Sequence, residues 1–300
     1  MQKAKPLVIV LLGPTASGKT SLAIKIAEKF NLPIQNIDSR QIYKGMDIGT
    51  AKPNKVQLKK AEHFLINLKQ PNEKMTLYEF QQLARKSIEK SILKKGYAFL
   101  VGGSGLYIKS ITKGFNTPPV PPQNWLRSEL NSLGQETCYQ LLKYADPNAA
   151  RKIYSSDLIR TTRALEVIYC TGQEISSQQT YDPPPWRLLE IGLNPKDLFH
   201  RIQTRTVQIY SNGLLNETER LIRKFGKDLP LLQTIGYKEA LEVIEGLSNL
   251  DEAINLTIKR TKQFAKRQRT WFRKQHDPYW LNDEEPLREA VSLIKSGLSL

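Results

Sequence analysis

Eight consecutive residues, Gly13-Pro14-Thr15-Ala16-Ser17-Gly18-Lys19-Thr20, have the spacing G-x-x-x-x-G-K-[ST]. The glycines let the backbone curl so that successive N–H groups converge on phosphate oxygens. Lys19 adds a positive charge, and the Thr20 hydroxyl can ligand Mg²⁺. The loop also opens a helix, whose N-terminus favours anions. The pattern names a bound phosphate group and leaves the reaction open.

Two further loops carry groups that could act on whatever the first one holds. Asp38-Ser39-Arg40-Gln41 follows the apolar run Ile34–Ile37, and Gly102-Gly103-Ser104-Gly105 follows Tyr97–Val101. In an open parallel sheet ligands bind at the carboxyl ends of the strands, where both loops would sit. A carboxylate at Asp38 could take a proton from a nucleophile, or it could cap a helix. Ser104 offers a hydroxyl beside glycines that permit close approach, or the segment is only a tight turn. A motor-type or switch-type NTPase would end an apolar strand in Asp, and a GTPase would carry Asn-Lys-x-Asp. The strand Tyr97–Val101 ends in Gly102-Gly103-Ser104-Gly105 instead, and no Asn-Lys-x-Asp occurs, so simple hydrolysis is disfavoured while a small-molecule kinase survives.

The elements that must position these groups alternate. Leu7–Leu12 reads as a buried strand, Lys19 to about Phe30 as an amphipathic helix and Ile34–Ile37 as a second strand. A long helix opens at Thr76, where Thr76-Leu77-Tyr78-Glu79 has the capping-box form, and closes at Gly96 before the strand Tyr97–Val101. This order predicts an α/β protein, a P-loop parallel sheet flanked by helices. Two proline clusters, Pro118-Pro119/Pro121-Pro122 and Pro183-Pro184-Pro185, bracket a stretch of helical patterning. Within it Asp146-Pro147 starts one helix and Gly172 stops another after Asp157–Thr171. The expected organisation is a core domain of residues 1–118 and 186–300, interrupted by an all-helical insertion over 119–185. Leu188–Leu193 is read as a returning strand of the sheet.

Forty-five basic against 29 acidic side chains leave +16, while 40% hydrophobic and 25% charged residues are ordinary for a globular protein. Such an excess favours a polyanionic partner. It is concentrated in Lys259–His276, which holds eight Lys or Arg and no acid. On a helical projection Lys259, Lys262, Lys266, Arg269 and Arg273 share a face. Ile258, Thr261, Phe264, Ala265, Gln268, Trp271 and Phe272 cover much of the other. One face would dock on the core and the other would meet RNA phosphates, with salt-dependent affinity. Cys138 and Cys170 have no paired spacing, and His63, His200 and His276 make no ligand cluster. After the charged start Met1-Gln2-Lys3-Ala4-Lys5-Pro6, the run Leu7–Leu12 is too short for a signal-peptide core or a membrane span. A cytoplasmic protein without membrane attachment is expected.

The phosphate loop, the run Asp38-Ser39-Arg40-Gln41-Ile42-Tyr43-Lys44-Gly45-Met46-Asp47-Ile48-Gly49-Thr50-Ala51-Lys52-Pro53 and the Gly-Gly-Ser-Gly-Leu-Tyr loop together resemble the bacterial tRNA dimethylallyltransferase family. Arg163-Ala164-Leu165-Glu166-Val167, Ile235-Gly236-Tyr237-Lys238 and Lys266-Arg267-Gln268-Arg269-Thr270-Trp271-Phe272-Arg273 extend the resemblance, in family order, over almost the whole chain. It implies transfer of a dimethylallyl group from dimethylallyl diphosphate to N6 of adenosine-37 of tRNA, with Mg²⁺ as cofactor; a monomer is expected, although the sequence does not give the oligomeric state. The loop Gly13–Thr20 would then hold the donor diphosphate, not ATP. Asp38 would act as general base, with Ser104 and Lys19 as further catalytic candidates. RNA would be met by Asp38, Ser39, Arg40, Gln41, Ser104, Arg127, Arg160, Arg163, Lys238, Lys266, Arg267, Arg269 and Arg273.

The chain departs from the family pattern in two places. Ser104 stands where Thr is usual, keeping the hydroxyl, and a Pro-His-His-Leu-[IL]-Asp segment appears as Ala61-Glu62-His63-Phe64-Leu65-Ile66-Asn67. A rival reading is an adenylate isopentenyltransferase acting on free nucleotide, which would need neither basic helix nor insertion. A P-loop small-molecule kinase is the rival from another class and leaves +16 unexplained.

Overall fold

The structure is a computed structural model and describes residues 5–298; the charged start Met1–Ala4 lies outside them. The chain forms two compact units. One comprises the chain up to Thr112 and from Pro185 onward, the other Lys113–Pro184.

The first unit is built on six strands, β1 (Leu7–Leu12), β2 (Ile34–Ile37), β3 (His63–Phe64), β4 (Tyr97–Gly102), β7 (Arg187–Gly192) and β8 (Tyr279–Trp280). They form one sheet in the order β3-β2-β4-β1-β7-β8, every pairing parallel. All six residues of β1 are buried, as a strand covered on both faces requires. Alternation divides them between two cores. Val8, Val10 and Leu12 pack with Phe80, Ala84 and Ile88 of the helix Leu77–Lys95. Leu7, Ile9 and Leu11 pack with Leu22 and Ile26 of the helix Lys19–Phe30, and with Ala290 and Ile294 of the helix Pro286–Leu298. The expected helix ends hold: Thr76 accepts from the Glu79 N–H at 3.1 Å, and Gly96 closes that helix at φ 83°. Among the described residues no helix is long and apolar enough to cross a membrane.

The second unit packs the helices Asn124–Leu133, Gln135–Ala145 and Leu158–Thr171 around Leu126, Leu130, Leu142 and Leu165. Asp146 and Gly172 cap and close helices as expected. Two features add to the sequence reading of this unit. The unit begins at Lys113 rather than at 119, because its ends are joined by an antiparallel ribbon of β5 (Phe115–Asn116) and β6 (Thr180–Tyr181). The insertion is therefore helical apart from that ribbon, whose two-residue strands are too short to alternate visibly.

Arg127 and Arg163, expected to meet RNA, share a buried acidic partner and keep about a third of their side-chain surface exposed. Both guanidinium groups turn onto Glu166, whose side chain has no solvent exposure. Arg127 Nε and Nη2 donate to its two carboxylate oxygens at 2.8 Å, Arg163 Nη1 donates at 2.5 Å and the Gln123 N–H at 2.6 Å. Burial alone would raise the Glu166 pKa, but the hydrogen bonds from Arg127, the Gln123 amide and Arg163 prevail and hold it at about 2. Because the folded value lies below the unfolded one, this contribution is complete above the ordinary carboxylate range and is lost as pH falls toward 2. Glu166→Ala should cost about 3 kcal/mol by leaving two guanidinium groups without their acceptor. Urea unfolding of the parent and variant, followed at pH 7 and pH 3, should show the difference shrinking at the lower pH.

Candidate active site

The parallel register brings the three loops of interest to one edge. Leu12 is paired with Gly102 on one side and Gly192 on the other, and Gly102 is paired with Ile37. The residues that follow this row are Gly13, Gly103-Ser104, Leu193 and Asp38. The phosphate loop, the carboxylate and the hydroxyl thus leave neighbouring strands at the same level.

The loop backbone is confined. A Cβ on Gly13 would stand 2.4 Å from the Leu193 carbonyl oxygen, and Gly18 adopts φ 90° as it enters the helix Lys19–Phe30. Lys19 folds back over the loop, its Nζ donating to the Gly13 and Pro14 carbonyl oxygens at 2.8 and 2.6 Å. It keeps partial solvent access yet is densely surrounded by protein. Burial lowers its pKa to about 7, Arg205 adds to the drop, and Asp38 opposes it. Arg205, from the helix Leu198–Ser211, reaches Thr15 Oγ1 at 3.5 Å. Burial also depresses its pKa, and again Asp38 pulls the other way. Two crowded cations and one carboxylate therefore feel each other across the loop, a charge pattern that an incoming anion would complete.

Asp38 does not cap a helix. Its Oδ1 accepts from the Arg40 and Gln41 N–H groups at 2.8 and 3.3 Å, shaping a turn at the end of β2. Ser104 Oγ accepts from the Ser39 N–H at 2.9 Å and donates to Ser39 Oγ at 3.2 Å, stitching the ends of β2 and β4 together. Gln41 is buried, and its amide donates to the Thr50 and Ala51 carbonyl oxygens at 3.0 and 3.3 Å. Its amide nitrogen thus holds the following loop. That loop is also held by Glu217, which accepts from the Asp47, Ile48 and Gly49 N–H groups and from the Tyr237 hydroxyl. The altered Asn67 retains an acceptor role: with Asp47 it receives the buried Lys52 ammonium, at 2.7 and 2.5 Å respectively.

The basic segment is part of one helix, Leu250–Gln275. Ala265, Gln268 and Phe272 face inward, while Lys266, Arg267 and Arg273 are exposed and Arg269 is half-buried. Phe264, expected inside, is 39% exposed, with Arg267 stacked 5.9 Å from its ring centroid. Arg260 pairs with the buried Glu239 at 2.6 Å. Lys238 sits half-buried in the first turn of the helix Tyr237–Ile244. In the second unit Arg160 remains largely exposed, 3.4 Å from Asp157.

Sequence reasoning missed Arg205 and Gln268 as site residues. Gln268 stood out as one member of an inward face and of the segment Lys266–Arg273, with no role attached to it. Arg205 carried no local signal beyond a helical pattern. For Mg²⁺, no group of three His, Cys, Asp or Glu forms a cage among the described residues. The donor set is one hard hydroxyl, Thr20, beside an anion-binding loop. It fits a magnesium ion that arrives on phosphate oxygens and keeps much of its water.

A parallel sheet ending in a phosphate-loop motif, with a carboxylate at another strand end on the same edge and a largely helical insertion, defines a P-loop protein. Residues 41–275 match the family described as IPP transferase. The chain is 59% identical to a tRNA dimethylallyltransferase of Prochlorococcus marinus (strain MIT 9211), over 98% of each sequence. It is 56% identical to one from Synechococcus sp. (strain CC9311), covering 98% of this chain and 94% of that one. Among solved structures, the tRNA isopentenylpyrophosphate transferase of Bacillus halodurans superposes with a TM-score of 0.72 at 32% identity, covering 98% and 97% of the two chains. A eukaryotic dimethylallyltransferase acting on tRNA superposes at 0.81 with 27% identity, covering 98% of this chain and 80% of that one. The chain belongs to the IPP transferase family.

Proposed function

We infer that this enzyme transfers a dimethylallyl group from dimethylallyl diphosphate to N6 of adenosine-37 in the anticodon loop of tRNA, releasing diphosphate. The observation that carries the reading is the shared sheet edge: Lys19 and Arg205 crowd the loop Gly13–Thr20 at the end of β1, and Asp38 leaves the end of β2, on the far side of β4, where its charge acts on both.

The chemistry follows from those groups. Cleavage of the donor C1–O bond leaves diphosphate, and the loop amides, Lys19 and Arg205 stabilise the charge that develops on it. Magnesium held by Thr20 and the phosphates supplies further neutralisation when bound. As the new N6–C1 bond forms, the N6 proton passes to Asp38, because an adenine amine is a weak nucleophile whose lone pair is delocalised into the ring. Its free Oδ2 edge serves this role, since Oδ1 is occupied by the Arg40 and Gln41 N–H groups. Ser104 orients the acceptor base, which must leave its stack to reach the donor. The exposed Lys266, Arg267 and Arg273 and the half-buried Arg269 and Lys238 meet tRNA phosphates, as do Arg127, Arg160 and Arg163 in the second unit.

The test is a transfer assay with labelled dimethylallyl diphosphate and, separately, unmodified tRNA or AMP. Label should appear in tRNA. Label only in AMP would overturn the acceptor assignment, and ATP turnover without prenyl transfer would overturn the reaction.

A further inference from the structure

One buried side chain joins the donor loop to the acceptor loop, and it comes from the basic helix. Gln268, 8% exposed, accepts from the Thr15 N–H through Oε1 at 2.8 Å and donates from Nε2 to the Gly103 carbonyl oxygen at 2.8 Å. Thr15 lies inside the phosphate loop, and Gly103 immediately precedes Ser104. The fit is close: a Cβ on Gly103 would meet Gln268 Nε2 at 3.0 Å and the Gly13 carbonyl oxygen at 3.3 Å. One turn along, the Trp271 ring lies against Gly105, so close that a Cβ there would stand 2.3 Å from it. The inner face of the helix Leu250–Gln275 therefore rests on both glycine loops at once.

We propose that Gln268 is a positioning residue that fixes the separation between the diphosphate held by Gly13–Thr20 and the acceptor base held beside Asp38 and Ser104. This rests on the prenyl-transfer reading above. Its physical basis is the steep dependence of bond formation on approach. The two reactants are held by different loops on different strands, and a displacement of about 1 Å between them can cost about 100-fold in rate. A primary amide suits the task because it offers one acceptor and one donor in a fixed plane, matching one N–H and one carbonyl. Gln268 contacts neither substrate in this role; it sets where they meet.

Such a brace acts on the transition state more than on either bound substrate, which separates it from a simple affinity role. Gln268→Met keeps length and apolar bulk but loses both hydrogen bonds. Its kcat for prenyl transfer to tRNA should fall about 10- to 100-fold, while KM for each substrate and Kd for inorganic diphosphate change less than about threefold. Gln268→Leu likewise keeps apolar bulk, adds no charge beside the diphosphate, loses both hydrogen bonds and should match the Met variant in kcat. If the Met variant does not fold, the Leu variant decides by the same split. A raised donor KM with unchanged kcat would overturn the proposal, as would a parental rate in the folded variants. Failure of the parent itself to transfer a prenyl group would remove the functional reading and this inference with it.

Discussion

Asp38→Asn should slow prenyl transfer about 10³-fold in single-turnover measurements while tRNA affinity changes less than about threefold. The substitution isolates basicity from architecture. An Asn side chain can still present a carbonyl oxygen to the Arg40 and Gln41 N–H groups, so the turn at the end of β2 survives. What disappears is the ability of the second oxygen to hold a proton. Asp38→Ala removes both and should be at least as slow, with some loss of loop order. An Asn variant that transfers at the parental rate would refute the general-base role directly. Carrying out both substitutions also apportions the effect, because any excess loss in the Ala variant measures the turn.

Lys19→Met should lower kcat/KM for the donor by about 10³-fold, the scale on which preorganised charge stabilises a departing anion. It also makes a pH argument testable. In the free protein, burial and Arg205 hold the Lys19 pKa at about 7. A bound diphosphate favours the charged ammonium, so binding raises that pKa. At pH below 7 the group is already protonated and no proton need be taken up. Above 7 the free form is increasingly neutral, so binding must recruit a proton and affinity falls as pH rises. Calorimetric titration with inorganic diphosphate at pH 8, in buffers of different ionisation enthalpy, should report proton uptake by the parent that is reduced in the Lys19→Met variant by the Lys19 share. Equal uptake by parent and variant would mean that Lys19 is already charged before the anion arrives.

The donor loop could be read from the chain because each residue type in Gly13–Thr20 has a local purpose, and the structure uses Gly13 and Gly18 as a tight approach and a left-handed turn demand. Asp38 and Ser104 were placeable because each follows an apolar run at a strand end. Whether Asp38 capped a helix was not decidable until the backbone after it proved to be a turn. Arg205 and Gln268 reach the loop from 190 and 253 positions away. Contacts of that kind depend on how helices settle on the sheet, and no short spacing encodes them. Arg163 and Glu166 are a different case. Their three-residue separation on a helix marks an ion pair, but the inward turn of Glu166 that captures Arg127 as well follows from packing in the second unit.

The ribbon of β5 and β6 has a consequence for how this enzyme could arise and change. Paired strands lie about 5 Å apart, so the chain leaves the core and returns to it at almost one point. Residues 113–184 can therefore lengthen, shrink or be exchanged as a cassette over generations, while the loops that carry Lys19, Asp38 and Ser104 keep their places on the sheet.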